Sequence, residues 1–388
     1  MEYRSHKGFD LSEIGIGCYA LAGVYGKKDG EEFKRMLDRA YKMGVNFFDT
    51  AEGYGDAEGI LGETVKPFRE DVYIATKVGV KEGIEPNLSG EYIQRACEQS
   101  LERLGTDYID LYQVHFDDPK TPVEETVHAF ENLVNEGKIR HYGVGHLPVG
   151  KVETYCRKGH VFSVLMELSA VARRSRKELL PLCQKYKVGG IAFSTTGRGL
   201  LTGKFKGTPT FEPGDIRHMD PLFQRENFQS ALRIVEKFEE LGREYKKTPV
   251  QVAIAWVLSQ PGIVCALTGP STVAHLEENI GGSGWALSSE HGKELEELFK
   301  KEDEWLQKEQ LSSIRSILSR ELPQEFSKAF ADLVYVLETS ILLELVEEKE
   351  VLPVFYELFS MRKTPDTAQL ESIQEKLKNI LDVENLIL

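Results

Sequence analysis

An acid, a phenol, a lysine and an imidazole recur at matching places in the first third of this 388-residue chain. Asp49 and Tyr54 lie in Asn46-Phe47-Phe48-Asp49-Thr50-Ala51-Glu52-Gly53-Tyr54-Gly55. Lys77 falls in Ile74-Ala75-Thr76-Lys77-Val78, and His115 follows Leu111-Tyr112-Gln113-Val114. Each sits in or just after a short apolar run of strand character, and Gly53 and Gly55 break the first pattern just past its end. The four therefore read as residues at the carboxyl ends of three consecutive strands, the edge where parallel α/β proteins do chemistry. A tyrosine donates a proton near neutral pH only if its surroundings favour the phenolate. An Asp49–Lys77 ion pair with its ammonium near Tyr54 would lower the phenol's pKa. A neighbouring imidazole would orient a carbonyl or relay a proton. Singly, each has a plainer role: Asp49 as a helix cap, Lys77 as a solvated charge, His115 as a satisfied core or rim residue. All four on one rim would require those plain roles to coincide.

The elements that must position them alternate in type up to about residue 300. Candidate strands are Glu13–Gly17, Asn46–Thr50, Val72–Val78, Ile109–His115, His141–His146, Phe162–Glu167, Gly190–Thr195 and Val264–Gly269. Helical stretches lie between them. Glu31–Met43 carries Phe33, Leu37, Ala40 and Tyr41 on one face, and Glu91–Leu104 carries Ile93, Ala96, Cys97, Leu101 and Leu104. Pro122–Asn135 and Val250–Ser259 keep the same period, and Thr248-Pro249 reads as a helix start. Eight strands alternating with helices predict a (β/α)8 TIM barrel. The runner-up is a doubly wound open sheet, but its nucleotide fingerprint is missing: Gly15-Ile16-Gly17 is followed by Cys-Tyr-Ala-Leu-Ala. Gly203–Pro221 is long for a barrel connection and suits a binding loop, and Gly281-Gly282-Ser283-Gly284 reads as a flexible point.

From about Glu309 the composition changes, with Leu, Ile and Glu dominant. The predicted organisation is a barrel over 1–308 and an all-helical C-terminal extension over 309–388. Its helices are Ile314–Arg320, Gln324–Ile341, Leu342–Phe359 and Thr367–Leu381, broken near Pro323, Pro353 and Pro365. Glu338 and Glu344 interrupt its most apolar stretch. A packed or partner-binding helix, including one used for self-association, suits it better than a membrane span.

A net charge of −14 argues against a nucleic-acid surface as the main business. Cys18, Cys97, Cys156, Cys183 and Cys265 form no CxxC pair, which suits reduced thiols in a cytoplasmic protein. The start MEYRSHKGFD has no apolar stretch of signal-peptide type. His141 and His146, five apart on one strand, face opposite ways, so no metal site is expected.

With these residues in place, the chain resembles the aldo-keto reductase superfamily. The matching stretches are Asn46–Gly55 with Leu61-Gly62-Glu63, Ala75-Thr76-Lys77, Ser100–His115 (SLERLGTDYIDLYQVH), Gly197–Phe205 (GRGLLTGKF) and Thr268–Ile280 (TGPSTVAHLEENI). The resemblance implies a (β/α)8 barrel that binds NADPH (NADP+) across its carboxyl rim and reduces a small-molecule carbonyl. It implies Tyr54 as general acid, Lys77 and Asp49 as its pKa-lowering partners, and His115 as the carbonyl-orienting residue. For the cofactor it implies Gly269, Ser271, Glu278 and Asn279 at the pyrophosphate and adenosine end, with Ser271 opening a helix and His275 where glutamine is common. Phe193 would stack on the nicotinamide with Ser194 beside it. Lys204 and Arg217 would take the phosphates, and Gly17 and Tyr19 join Asp49 at the site. The chain departs from the family at the carboxamide: Gly145-His146 replaces Ser-Asn and Leu165 replaces glutamine, leaving His146 as a substitute partner.

Three functions follow. The first is an NADPH-dependent carbonyl reductase. The second is a weakly catalytic or non-catalytic NADP-binding module with a partner-binding tail. The third is a redox-neutral lyase or isomerase that keeps its NADP bound.

Overall fold

The computed structural model describes residues 1–26, 29–80, 86–207, 209–211, 215–361 and 366–381. Two compact units account for them: residues 1–202 with 238–288, and residues 203–237 with 289–388.

The first unit is built on a closed barrel of eight parallel strands. A two-stranded antiparallel hairpin, β1 (Tyr3–His6) and β2 (Phe9–Ser12), precedes them. The barrel strands are β3 (Ile14–Gly17), β4 (Phe47–Asp49), β5 (Tyr73–Val78), β6 (Ile109–Val114), β7 (Ile139–Gly145), β8 (Ser163–Glu167), β9 (Gly189–Phe193) and β10 (Ile263–Thr268). They pair in chain order, and β10 closes on β3. All eight expected strands are present, each within a few residues of its sequence bounds. Continuous apolar runs suit them because a parallel sheet is covered on both faces.

The intervening helices start where the chain supplies a cap. Asp29 accepts from the N–H groups of Glu31 and Glu32 and opens helix Gly30–Lys42, which buries Phe33, Met36, Leu37 and Ala40. Ser89 opens Gly90–Leu104 by accepting from the Tyr92 N–H, and Gly105 ends it at φ 62°. In Pro249–Leu258 the Gln251 side chain accepts from the Thr248 N–H at 3.1 Å.

The hairpin was not legible from hydrophobic pattern, and it plugs the amino end of the barrel. Phe9 stacks on Tyr73 with 4.2 Å between ring centroids and meets His141 edge-on at 4.8 Å. Phe9 and Leu11 join Phe47, Ala75, Leu111, Phe162, Leu165, Ile191, Cys265 and Leu267 in the interior cluster. Burying one such aromatic or aliphatic side chain contributes about 1.5–3 kcal/mol. Chemistry is thereby confined to the opposite, carboxyl end.

The expected flexible point at Gly281–Gly284 is a tight packing site. A Cβ on Gly281 would come within 2.2 Å of Gln251 Nε2, and one on Gly282 within 2.7 Å of Ile254. The Gly281 carbonyl also accepts from Lys247 Nζ and Trp285 Nε1. Glycine serves close approach here.

The second unit holds helices Ser289–Ser319, Phe326–Leu342, Glu348–Ser360 and Thr367–Leu381. Its core contains Ile314, Ile317, Leu318, Phe330, Leu333, Leu358, Leu370 and Leu377, with Met219 packed against it. Asp332 accepts from both Arg225 and Arg320, and Glu226 accepts from Tyr335 and Ser313. Residues 203–237 thus belong with the C-terminal helices. The compositional change at residue 309 falls inside the 31-residue helix Ser289–Ser319, which has no break there. Pro353 does not break its helix either: it lies within Glu348–Ser360, whose Val351, Val354 and Leu358 are buried in the unit's core. That burial offsets the hydrogen bond a proline removes. The break expected at Pro365, and residues 208 and 212–214 of the candidate binding loop Gly203–Pro221, lie outside the described residues. Among the described residues no helix is long and apolar enough to cross a membrane.

Candidate active site

Strand register brings the site together. Gly17 pairs with Asp49, Asp49 with Ala75, and Lys77 with Gln113. Asp49 is the last residue of β4, and the chain turns at once into the loop carrying Tyr54. Lys77 lies one residue from the end of β5, and His115 follows β6 directly. Asp49, Tyr54, Lys77 and His115 are all buried.

Lys77 Nζ donates to Asp49 Oδ1 at 2.5 Å and to the Thr50 carbonyl at 2.7 Å. The same ammonium lies 5.0 Å from the centroid of the Tyr54 ring. Tyr54 Oη is 3.5 Å from His115 Nε2, while His115 Nδ1 is buried with no hydrogen-bond partner among the described residues. The four predicted residues therefore form one cluster.

Gln113 is a member that sequence reasoning missed. Its Nε2 donates to Asp49 Oδ2 at 3.2 Å. The signal was a polar residue in a strand buried along its whole length, directly opposite Lys77. Glu52 was also missed: it accepts from the Gly79 N–H at 2.9 Å and from the Tyr92 hydroxyl, pinning the Tyr54 loop to the end of β5.

Electrostatics follow from burial. Desolvation pushes the Asp49 carboxyl above its ordinary range, against the pull of Lys77 and Gln113. Desolvation and then the Asp49 charge hold the Tyr54 phenol well above its usual value. This differs from the lowered pKa expected from the sequence, because burial outweighs the distant ammonium. The phenol therefore stays protonated at neutral pH. Burial, then Lys77, drives His115 well below 6.5, so its imidazole is neutral at pH 7.

The remaining predicted residues fall into three groups. On the rim, Tyr19 packs 4.9 Å from Tyr54, ring to ring. His146 and Ser194 follow β7 and β9, both with left-handed backbone (φ 48° and 57°). His146 lies between Phe116 at 4.7 Å and Phe193 at 5.0 Å, and its Nδ1 is 3.1 Å from the His115 carbonyl. A carbonyl only accepts, so Nδ1 carries the proton and Nε2 presents a lone pair. Desolvation, then Lys77, takes this imidazole down to about 4. Leu165 is buried in the barrel interior and within 3.1 Å of a Cβ on Gly145, so neither brings a polar side chain to the rim.

The second group surrounds helix Val273–Ile280. The helix begins after Thr272, whose hydroxyl accepts from the His275 N–H; Ser271, expected to open it, lies one residue outside and pairs with His275 Nδ1 at 3.4 Å. The Glu278 carbonyl accepts from Gln251, Asn279 is buried, and space beside Gly269 is open. The third group, Lys204 and Arg217, belongs to the second unit. There Lys204 Nζ lies 4.9 Å over the Phe205 ring, and Arg217 is held bidentately by Asp215 at 2.9 and 2.5 Å.

Ser194 Oγ is buried beside the Phe193 ring with no partner among the described residues. It fits a polar ligand atom entering the rim, and a nicotinamide dinucleotide meets that requirement. Among the described residues no cluster of metal-ligating side chains occurs.

A closed (β/α)8 barrel with a phenol, an imidazole and a buried ion pair on its carboxyl rim is the framework of a barrel oxidoreductase. The chain belongs to the aldo/keto reductase family, which it matches over residues 13–300. It is 35% identical over 293 residues to the aldo-keto reductase str7 of Strobilurus tenacellus, covering 72% of this chain and 86% of that one. It is 32% identical to the aldo-keto reductase yakc [NADP(+)] of Schizosaccharomyces pombe, covering 73% and 87%. Among solved structures, the glycerol dehydrogenase of Gluconobacter oxydans superposes with a TM-score of 0.72 at 29% identity, covering 78% of this chain and 96% of that one. The protein is an oxidoreductase of a family that uses nicotinamide cofactors.

Proposed function

We propose that the protein reduces an aldehyde or ketone to an alcohol with NADPH. The observation that carries this reading is the Tyr54 hydroxyl 3.5 Å from His115 Nε2, above the buried Lys77–Asp49 pair. A nicotinamide dinucleotide, when bound, supplies the hydride to the carbonyl carbon. Tyr54 gives its proton to the carbonyl oxygen as the C=O π bond breaks and the O–H bond forms. The neutral His115 orients that oxygen. Lys77 stabilises the phenolate left behind until solvent reprotonates it, and Asp49 fixes Lys77. Phe193, Ser194, His146 and the segment from Gly269 to Asn279 are proposed to hold the cofactor. NADP is supported by the printed name of the yeast relative.

Tyr54→Phe tests the mechanism. The expected result is a fall in kcat of about 10²–10⁴ at unchanged cofactor Kd, followed by quenching of protein fluorescence. Undiminished turnover would remove Tyr54 from the acid role. Titration with NADPH and NADH tests the cofactor: NADPH is expected to bind more tightly, and equal affinity for the two would remove the preference.

A second reading is favoured by the non-polar pair Gly145 and Leu165: a dinucleotide-binding module of weak turnover. Tight NADPH binding without oxidation across an aldehyde panel would select it. We also place the protein in the cytoplasm, a reading supported by five free cysteines. Self-association through the C-terminal helices is supported by Leu342 and Tyr356, both about half exposed there. Sedimentation of the intact chain tests this, with a monomer at all concentrations ruling it out.

A further inference from the structure

We propose that Gln113 is a positioning residue of the reaction, holding Asp49 as a carboxylate by donating to the oxygen that Lys77 leaves open. The inference rests on the reductase reading for its kinetic consequence only. Lys77 and Gln113 are register partners on β5 and β6, and both side chains reach Asp49 on β4. The next strand makes room for this. Gly143 pairs with Gln113, and a Cβ there would lie 3.3 Å from Gln113 Cγ and 2.7 Å from Ser163 Oγ.

The orientation of the amide carries the argument. Gln113 Oε1 is buried with no hydrogen-bond partner among the described residues, whereas Nε2 is used on Asp49. A buried acceptor without a donor is costly. Were Asp49 protonated, its hydroxyl could donate to Oε1 only with the amide turned over, and Nε2 would then give up Asp49 as its acceptor. With Nε2 donating, the amide favours a charged Asp49, whose two oxygens each accept from an obligate donor.

Other groups around Asp49 do not replace this role. Cys18, after β3, and Cys265, on β10, interact with Asp49 electrostatically, but burial raises both thiols and keeps them neutral. Tyr54 is held protonated, Tyr19 packs beyond it, and His115 is neutral. Lys77 supplies the positive charge and Gln113 the neutral donor. An Asp49 that took up a proton would release Lys77, and with it the support for the Tyr54 phenolate.

The test is a pH titration of the Asp49 carboxyl stretch by infrared difference spectroscopy on the full-length protein, with Asp49→Asn as the reference. In Gln113→Leu the protonated band is expected to appear about one to two pH units higher than in wild type. The acid limb of the kcat profile is expected to move by the same amount, with cofactor Kd unchanged. A residue that merely fills space would lower activity equally at every pH. If Gln113→Leu does not fold, Gln113→Glu keeps the shape. Two adjacent carboxyls then share a proton, and the band persists to higher pH still. A titration matching wild type in whichever variant folds overturns the proposal. If the wild type reduces no carbonyl, the reductase reading fails alone, and the infrared titration still decides the role of Gln113.

Discussion

Replacing Lys77 by methionine separates the ion pair from the space it fills. The two side chains are almost completely enclosed, with 1% and 6% exposure. Removing one partner of a buried pair costs about 3–5 kcal/mol, because the other charge remains without compensation. At about 2–4 °C per kcal/mol for a unit of this size, the barrel transition should fall on the order of 10 °C at pH 8. The loss should depend on pH, and its sign follows from Asp49. Burial already raises this carboxyl, and Lys77 is the first influence pulling it down. Without the ammonium it rises further above its unfolded value, so the folded protein binds the proton more tightly than the unfolded chain. Stability of Lys77→Met then falls as pH rises through the folded pKa and recovers as pH falls. Differential scanning calorimetry from pH 8 to pH 5 should show the gap to wild type narrowing, and Asp49→Asn in the Lys77→Met background should restore most of it at pH 8. A gap that is constant over this range, or under about 2 °C throughout, would refute the reasoning.

Thiol chemistry should follow burial. Desolvation raises Cys97 and Cys183 to about 12, and Cys18 and Cys265 are enclosed, whereas Cys156 is half-buried and raised to about 11. Cys156 is thus expected to react first with an aromatic disulfide reagent in the native protein; fast release of five equivalents would contradict this. Phe330→Ala, in the core of the second unit, should cost about 3–5 kcal/mol in the unfolding of that unit, read by urea titration of helical signal. Glu52→Gln should lower kcat several-fold at unchanged cofactor affinity, because the Gly79 and Tyr92 contacts that pin the Tyr54 loop are weakened; a change confined to cofactor Kd would show that the loop is held otherwise.

Much of the barrel was written locally. Apolar runs such as Phe47–Phe48 and Tyr73–Val78 ended in glycine or polar residues, and caps such as Asp29 and Ser89 marked the helices between them. The tetrad followed once strand ends were aligned, since parallel register alone brings Asp49 and Lys77 together. What stayed hidden depended on non-local packing. The hairpin Tyr3–Ser12 is too short and too polar to announce itself, and its reason for forming is the barrel floor it plugs. Gln113 looked like one residue of a strand until side chains of β5 and β6 were seen to share Asp49. The grouping of 203–237 with the C-terminal helices rests on pairs such as Arg225–Asp332, more than a hundred residues apart. Pro353 signalled a break that burial of its neighbours overrode. The phenol's raised pKa was hidden too, because the depth of Tyr54 is a property of the assembled pocket.

The left-handed backbone at His146 and Ser194 limits how this enzyme's specificity can be reshaped. Both positions follow barrel strands at the carboxyl rim, where the cofactor is proposed to bind, so a library aimed at a new cofactor preference would include them. At φ 48° and 57° an L-residue is already strained, and a β-branched side chain is more so. Valine, isoleucine and threonine would be selected against there by the main chain, whatever their merit toward a cofactor. Glycine and asparagine would be enriched for the opposite reason. A screen at these two sites would report conformational tolerance first and chemistry second. Phe116, outside the left-handed region and still on the rim, is the cleaner place to vary.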